Sequence, residues 1–266
     1  MVYKKEGLLL KVENVSLSYD NRPILQNINF EIYDIVRPNM TQGQVVSVIG
    51  RSGIGKTQLF KILSGLKKPD TGFVKIGANL HPVQAGDVGV IPQNYLLFNH
   101  RSIKDNLRIA LENCGKKLTS KEKDDIVADY ASRFQLQDEL RKYPMQLSGG
   151  QRQRVSIIQQ ILTGNNFILL DEPFSGLDIV MKDKVVELLV KLSLTHEETT
   201  LIIVSHDIES SLAISDTAFI LARPDENHGA TIKEVVDLMD LDLAWHPDIK
   251  TNPKFKQLVD EMRNRI

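Results

Sequence analysis

The sequence predicts an α/β protein whose core is a parallel β-sheet, and three observations carry this prediction. In the last third of the chain, apolar runs of strand length alternate with helix-length segments, which is typical of parallel strands joined by helical crossovers. Residues 44–49 form a nearly continuous apolar run, as expected for a strand buried on both faces. Residues 93–164 contain three segments that favour helices, so the middle of the chain is predicted to be a helical insertion.

The first third of the chain is rich in predicted strands. Residues 8–18 alternate partly between apolar and polar positions, and residues 24–32 alternate more clearly. Asp20, Asn21 and Pro23 lie between the two runs, and all three residue types favour turns. Two strands joined by a tight turn are therefore predicted here.

The other elements follow from periodicity and from residues that cap helices. Ser102 and Ser120 are the candidate N-caps of two helices, and Ser120 lacks the partner for a full capping box. The predicted helices are 57–66, 102–111, 120–134, 149–162, 180–194 and 207–214; the strands of the last third are 166–170, 201–205 and 217–222. A polar tail from residue 232 is expected to end in a helix over 253–265.

Composition bounds the possible functions. The chain has 266 residues, of which 42% are hydrophobic, and a formal net charge of -1, so there is no global basic signal for nucleic acid. Its one cysteine, Cys114, excludes an intrachain disulfide and favours a reducing, cytoplasmic setting. The longest apolar runs have strand length, far below the roughly 20 residues that a membrane-spanning helix needs.

The stretch GRSGIGKT, residues 50–57, follows the apolar run 44–49 and matches the pattern of a phosphate-binding loop. Gly50, Gly55, Lys56 and Thr57 occupy its fixed positions. Glycines let backbone N–H groups surround a phosphate, and the start of the next helix adds positive potential. Lys56 can reach phosphates and the Thr57 hydroxyl can bind Mg²⁺. A glycine-rich turn without a ligand is the alternative, but the strand before it and the helix after it disfavour that interpretation.

Two adjacent acids, Asp171 and Glu172, end the predicted strand 166–170. The carboxyl edge of a parallel sheet is where ligands bind in open α/β folds. Because adjacent side chains point in different directions, Asp171 could bind Mg²⁺ through water while Glu172 orients or deprotonates an attacking water. A solvated turn with two surface acids is the alternative interpretation.

LSGGQ, residues 147–151, is the stretch that resembles a known family. A Ser-Gly-Gly at a helix start is a second anion-binding end, which a single phosphate site does not need. LSGGQ beside a phosphate loop and an Asp-Glu strand resembles the signature of the ATP-binding cassette (ABC) ATPases. The resemblance covers about residues 8–222 and implies that Ser148, Gly149, Gly150 and Gln151 act in trans on a partner's nucleotide.

Other motifs resemble the same family in the same order along the chain. Tyr19 resembles the aromatic residue that stacks on adenine, and Gln93 the glutamine that contacts Mg²⁺ and the attacking water. Ser175-Gly-Leu-Asp178 resembles the loop that contacts the partner's site, and His206 the switch histidine that contacts the γ-phosphate. The plainer alternatives are a packed strand tyrosine, an exposed loop amide and a structural histidine.

The resemblance implies a P-loop NTPase core with an N-terminal antiparallel β-subdomain and an inserted α-helical subdomain at about 94–164. The ABC domain would span residues 1–230, followed by a C-terminal tail and helix over 231–266. The implied cofactors are ATP and Mg²⁺, with Thr57, Gln93 and Asp171 at the metal and Glu172, His206 and Gln93 in catalysis. The implied nucleotide contacts are Tyr19, Gly50, Arg51, Ser52, Gly53, Ile54, Gly55, Lys56, Thr57 and Gln58.

The implied function is an ATPase subunit that powers transport through separate permease subunits, with import favoured. Two copies would pair head to tail on the inner face of the membrane, with a possible extracytoplasmic solute-binding protein and no nucleic acid partner. The text around the signature, YPMQLSGG and RQRV, is most similar to the nitrate/sulfonate/taurine importer ATPases. Export of lipid, drug or lipoprotein, and work on ribosomes or DNA, remain the alternatives.

Two departures from the family pattern stand out. Residues 33–42, YDIVRPNMTQ, make the link into the phosphate-loop strand longer than usual, as a surface insertion or a partner contact. Gln58 occupies a position where the family usually has a second hydroxyl after Thr57. Since Thr57 keeps the metal-ligand role, activity is expected to survive.

Overall fold

Two β-sheets and seven α-helices, with three short 3-10 helices, build the part of the chain that the computed structural model describes, which is residues 3–37, 43–194, 199–246 and 248–266. The strands are β1 (Lys4–Tyr19), β2 (Arg22–Val36), β3 (Gln44–Ile49), β4 (Thr71–Ile76), β5 (His81–Pro82), β6 (Gly89–Ile91), β7 (Phe167–Asp171), β8 (Thr200–Ser205), β9 (Thr217–Ala222) and β10 (Thr231–Asp237). The helices are α1 (Lys56–Leu63), α2 (Ile103–Glu112), α3 (Ser120–Arg133), α4 (Gly149–Leu162), α5 (Ile179–Ser193), α6 (Ile208–Ile214) and α7 (Pro253–Arg265).

The core sheet has six strands in the order β10-β9-β3-β8-β7-β6. All its neighbours pair in parallel except β10, which pairs antiparallel with β9. Every residue of β3, β7 and β8 is buried, which explains why these strands read as continuous apolar runs. The parallel order places the carboxyl ends of β3, β7 and β8 at one edge, where the candidate site lies.

The second sheet is antiparallel, with the order β2-β1-β4-β5. In β2 the alternation predicted over 24–32 is confirmed from Ile28 onward, where Ile28, Phe30 and Ile32 are buried; before it the alternation is broken, because Leu25 is buried and Ile24 is only half-buried. Several register shifts between β1 and β2 mark β-bulges, which let the long ribbon bend over the core. Both β1 and β2 extend beyond the predicted segments, and β4, β5 and β6 were not predicted, because they are short or carry little apolar periodicity.

The helices of the middle segment pack on each other and share one apolar cluster with the core sheet. Ser102 is confirmed as the N-cap of α2, where its side chain accepts a hydrogen bond from the Asp105 N–H. The expectation for Ser120 was wrong: Thr119 is the N-cap of α3, in a full capping box with Glu122. The spacing of three residues that defines the box counts from Thr119, so a count from Ser120 misses the partner.

The C-terminal segment joins the core. The helix expected at 253–265 is confirmed as α7, whose residues Phe255, Val259 and Met262 are buried against the core. Residues 232–237 of the supposed polar tail belong instead to strand β10, which the sequence did not predict. The division of the chain at residue 230 stays a prediction. Among the described residues, no helix combines the length and apolar character that a membrane span requires.

A buried ion pair links the end of β2 to the core. Arg37 and Asp216 are both buried, and the Arg37 guanidinium donates to the Asp216 carboxylate and to the Gly43 carbonyl oxygen. Asp216 also accepts hydrogen bonds from the Val45 N–H and from the Trp245 indole. Of the long link 33–42 noted in the sequence, residues 33–36 thus belong to β2 and Arg37 to this ion pair. Residues 38–42 lie outside the described residues.

Candidate functional site

The glycine-rich loop runs between β3 and α1, as its sequence predicted. Gly53 and Gly55 have positive φ angles of 76° and 120°, a backbone conformation that strongly favours glycine. At Gly50, an added Cβ would lie 2.7 Å from the Leu221 carbonyl oxygen, so only glycine fits this close approach. Among the hydrogen bonds of the described residues, none uses the N–H groups of Gly53, Gly55, Lys56 or Thr57. These donors are therefore available to an anion at the start of α1.

A cleft of about 420 Å³ opens over this loop and collects most of the predicted site residues. Besides the loop, it is lined from β1, from the segment after β6 and from the ends of β7 and β8. The predicted residues that line it are Tyr19, Ser52, Gly53, Gly55, Lys56, Thr57, Gln58, Gln93, Glu172 and His206. Ile24 and Ser175 complete the lining. The structure thus brings together, from distant parts of the sequence, the groups expected to hold a nucleotide.

Lys56, Glu172 and His206 form one connected network in the cleft. The Lys56 ammonium lies 3.1 Å from Glu172 Oε1 and donates to the carbonyl oxygens of Gly50 and Arg51, both at 3.0 Å. Glu172 Oε2 lies 2.7 Å from His206 Nδ1 and accepts from the His206 N–H at 3.2 Å. The lysine expected to bind phosphate is thus paired with the carboxylate expected to activate water.

Glu172 has a strained backbone. Its φ angle of 51° lies in the left-handed region, which is uncommon for residues other than glycine. Its N–H donates to the Val204 carbonyl oxygen at 2.8 Å, so the neighbouring strand β8 holds this conformation. Strain of this kind clusters at functional sites. It turns the Glu172 side chain into the cleft directly after β7.

Asp171, the last residue of β7, fits a cation. Its Oδ1 is buried and has no hydrogen-bond partner among the described residues. Burial, and next the charge of Glu172, raise the pKa of this carboxyl, while Lys56 opposes the rise. A divalent cation would satisfy the orphaned oxygen. The described residues hold no cluster of three or more His, Cys, Asp or Glu side chains suited to a metal, and a magnesium site completed by a hydroxyl, phosphates and water needs none.

Gln93 and Tyr19 close two sides of the cleft. The Gln93 amide donates to the Ser175 hydroxyl at 3.2 Å, which links the segment after β6 to the loop that follows β7. The Tyr19 ring stays 43% exposed, and its hydroxyl donates to Gln58 Oε1 at 2.8 Å. The Lys67 ammonium lies 4.5 Å from the centroid of the Tyr19 ring. Neither the Gln93–Ser175 nor the Tyr19–Lys67 contact has a signal in the sequence, because both join distant loops.

The signature residues lie outside this cleft. Ser148 is the N-cap of α4 and forms a capping box with Gln151. Ser148 and Gly150 line a separate cavity of about 410 Å³, together with Arg154 and Lys184. A Cβ atom added at Gly149 would meet no other atom within 4 Å. The N-terminus of α4 is thus exposed next to basic side chains, and its predicted role as a second anion-binding end stays a prediction.

Three other predicted residues are placed differently from the rest. Arg51 and Ile54 line a neighbouring polar groove of about 930 Å³ instead of the cleft. Asp178 is the N-cap of α5 and accepts a hydrogen bond from the Met181 N–H at 2.9 Å. Ser205 was not predicted, yet its hydroxyl donates to Glu172 at 3.2 Å. Its position directly before His206 was the signal that could have found it.

Comparison with known proteins identifies the family. A family model described as ABC transporter matches residues 33–175, which is more than half of the chain. The chain is an ABC transporter ATPase. As a member of this family it is an ATP-binding and ATP-hydrolysing subunit, so the resemblance noted in the sequence is confirmed.

Individual relatives of this ABC transporter ATPase agree with the family model. The chain is 31% identical over 259 residues to the formylaminopyrimidine import ATP-binding protein ThiZ of Halalkalibacterium halodurans, covering 97% of this chain and 93% of ThiZ. It is 32% identical over 231 residues to the bicarbonate transport ATP-binding protein CmpD of Synechocystis sp., covering 85% of this chain and 79% of CmpD.

Among solved structures, cbiO1 of Clostridium perfringens, part of the ABC transporter complex cbiONQ, has a TM-score of 0.73 at 23% identity. The match covers 97% of this chain and 100% of cbiO1. At this identity the match shows the fold, which is the ABC ATPase fold that the sequence predicted.

Proposed function

We propose that this ABC ATPase binds ATP and Mg²⁺ in the cleft over residues 50–58, and that it powers import through separate permease subunits on the inner face of the membrane. The observation that carries the proposal is the convergence of Lys56, Glu172 and His206 on the glycine-rich loop. Each of these groups has a role that ATP hydrolysis requires.

Binding would use the loop and the Tyr19 ring. The free N–H groups at the start of α1 and the Lys56 ammonium would hold the phosphates, and adenine would stack on Tyr19. Thr57 and Asp171 would hold Mg²⁺, with Gln93 near it. A bound Mg²⁺ would supply charge neutralisation on the β- and γ-phosphates.

Hydrolysis would depend on positioning and electrostatics rather than on covalent chemistry. Glu172 would orient the attacking water and accept its proton, because its carboxylate lies in the cleft within reach of both Lys56 and His206. His206 would contact the γ-phosphate. Before catalysis, Lys56 must exchange its contact with Glu172 for one with phosphate, which frees the carboxylate for water.

Two copies of the chain would act together. The phosphate loop and the N-terminus of α4 belong to different cavities of one chain, so the nucleotide of a single copy lacks the predicted contacts from the signature residues. A head-to-tail pair would place Ser148, Gly149 and Gly150 of one copy on the nucleotide of the other. ATP would stabilise this closed state because it contacts both copies only when they are closed.

The permease would bind near the helical segment. Leu96 and Met145 expose 70% and 76% of their surface, and Phe98 exposes 47%. Asn106, which is fully buried, holds the backbone of this loop by donating to the Phe98 carbonyl oxygen and accepting from the Phe98 N–H. A firmly held loop with exposed apolar side chains suits transmission of motion from Gln93 to a membrane partner.

The names of relatives support import. ThiZ is an import subunit for formylaminopyrimidine and CmpD a transport subunit for bicarbonate. These two substrates differ in chemistry, and the narrower likeness to nitrate/sulfonate/taurine importers stays a prediction. The cargo would be selected by the permease and by any extracytoplasmic solute-binding protein.

Nucleotide chemistry can be tested with two variants of the full chain. Lys56→Ala should weaken ATP binding, and Glu172→Gln should bind ATP, dimerise with it and lose most hydrolysis. Equilibrium ATP binding, gel filtration with ATP and phosphate release measure the three properties. Unchanged ATP affinity in Lys56→Ala, or normal turnover in Glu172→Gln, would contradict the assigned roles.

The transport assignment needs a separate test. Tagged Glu172→Gln would be purified from its native host in mild detergent with ATP and Mg²⁺, with Lys56→Ala as the matched control, and its partners identified by mass spectrometry. A polytopic permease, alone or with a solute-binding protein, is the expected result. Export components, or ribosomal or DNA-repair proteins without a membrane partner, would overturn the import assignment. The assignment as an ATPase would still hold.

A further inference from the structure

The Tyr19 ring is fixed in place although it lies outside the core. It comes at the end of β1 and leaves 43% of its surface exposed, so packing alone does not hold it. Its hydroxyl donates to Gln58 Oε1 at 2.8 Å, which joins β1 to the first turn of α1. An exposed aromatic side chain with a hydrogen bond at its far end loses much of its rotational freedom before any ligand arrives.

One face of the ring is already covered. The Lys67 ammonium lies 4.5 Å from the ring centroid, within the range of a cation–π contact. Lys67 does not line the cleft, whereas Tyr19 does. Because the cation occupies one face of the ring, a planar group bound in the cleft would have to stack on the other face.

The length of the residue at position 58 decides whether the hydrogen bond forms. The Gln58 amide is two bonds further from the backbone than a serine or threonine hydroxyl, and its terminal oxygen is the atom that meets Tyr19. A hydroxyl at this position, usual in the family, would end short of Tyr19. The departure at residue 58 noted in the sequence therefore coincides with a contact that only a longer side chain can make.

We propose that Gln58 is a positioning residue that holds Tyr19 in the orientation for stacking on the nucleobase. This inference rests on the proposed function, in which the cleft takes ATP with adenine on Tyr19. Because Gln58 directly follows the Thr57 hydroxyl on α1, the hydrogen bond ties the base-binding ring to the helix that binds phosphate. Gln58 acts through Tyr19, so its contribution depends on the base and not on the phosphates.

The test compares a ligand that has a base with one that has none. Gln58→Met keeps the length of the side chain but cannot accept the hydrogen bond, and Tyr19→Phe removes the same bond from the other side. Binding of a non-hydrolysable ATP analogue and of inorganic tripolyphosphate would be measured by calorimetry for wild type, both variants and the double variant. Gln257→Met, on the exposed face of α7, is the matched control.

Each single variant should bind the ATP analogue about 3- to 10-fold more weakly, the usual range for one lost hydrogen bond. Tripolyphosphate affinity should change less than about two-fold. The double variant should be no worse than either single variant, because all three lack the same bond. The KM for ATP should rise with kcat unchanged.

Three outcomes would overturn the proposal. Equal losses for tripolyphosphate and the ATP analogue would mean that Gln58 contacts phosphate or supports the helix. Wild-type affinity in Tyr19→Phe would mean that the hydrogen bond is irrelevant, and additive losses in the double variant would mean that the two residues act separately. A wild-type chain that binds neither ligand would instead refute the proposed function itself.

Discussion

Removing either partner of the buried ion pair of Arg37 and Asp216 should lower the free energy of unfolding, and the loss should be larger when Asp216 is removed. Asp216→Asn leaves the buried Arg37 guanidinium with two neutral acceptors, the new amide oxygen and the Gly43 carbonyl oxygen, but with no carboxylate to pair its charge; its Nε already has no hydrogen-bond partner among the described residues. A guanidinium cannot lose its proton at any ordinary pH. Leaving such a buried charge unpaired costs about 3–5 kcal/mol of the free energy of unfolding.

Removing the other partner should cost less. Arg37→Met leaves Asp216 with two donors, the Val45 N–H at 2.9 Å and the Trp245 indole at 2.7 Å, and a carboxylate can take up a proton. We expect a loss of about 2–3 kcal/mol. The double variant Arg37→Met/Asp216→Asn carries neither charge and should be more stable than Asp216→Asn alone.

Urea unfolding would measure these differences as shifts of the midpoint at constant slope. Trp245 is the sole tryptophan of the sequence and donates to Asp216, so its fluorescence reports unfolding at the pair itself. Circular dichroism of the same samples tests whether the whole chain unfolds together. Asp129→Asn in the exposed pair with Arg133 is the control and should cost less than about 0.5 kcal/mol. If the double variant lost the sum of the two single losses, the reasoning from unpaired buried charge would be wrong.

Three further predictions follow from contacts described above. Glu172→Gln should lower the stability of the protein without nucleotide by about 1–3 kcal/mol and strengthen its binding of a non-hydrolysable ATP analogue, because Lys56 loses its anionic acceptor. Thermal melts without and with the analogue measure the stability and the binding. A variant that lost both stability and affinity, or gained both, would contradict this. Asn106→Leu should cost about 3 kcal/mol in urea unfolding, because a fully buried amide loses its hydrogen bonds, whereas the exposed Asn113→Leu on the same helix should cost under about 1 kcal/mol. Thr119→Ala should cost about 1 kcal/mol and Ser120→Ala less than about 0.5, with ATPase rates unchanged; the reverse order of stability would restore Ser120 as the cap.

Much of the fold could be predicted because its strongest signals are local. The runs that became β3, β7 and β8 are apolar at most positions, since both faces of a central parallel strand are buried. Strand β10 was missed because only one of its seven residues is buried and its sequence, TIKEVVD, looks like a polar tail. Its identity as a strand comes from pairing with β9, which is a tertiary contact and not a local preference.

In the candidate site, too, some features could be predicted from the sequence and others could not. Lys56, Thr57, Glu172 and His206 could be predicted because the chemistry fixes both residue type and spacing. The contact of Lys56 with Glu172 could not, because it joins residues 116 positions apart and depends on how β3 and β7 flank β8. Sequence patterns identify the site residues, whereas the contacts between these residues follow from the assembled sheet.

Strand β10 also bears on how the core sheet avoids edge-to-edge pairing with the sheet of another molecule. It covers one edge of the core sheet, and its own outer edge carries Lys233 and Glu234, the latter paired with Arg265 of α7. Charged side chains at a sheet edge discourage strand pairing between molecules. A chain shortened at residue 230 would present the bare, apolar edge of β9 and uncover the surface that Phe255 packs against. Such a chain should aggregate during refolding even if every nucleotide-binding residue were intact.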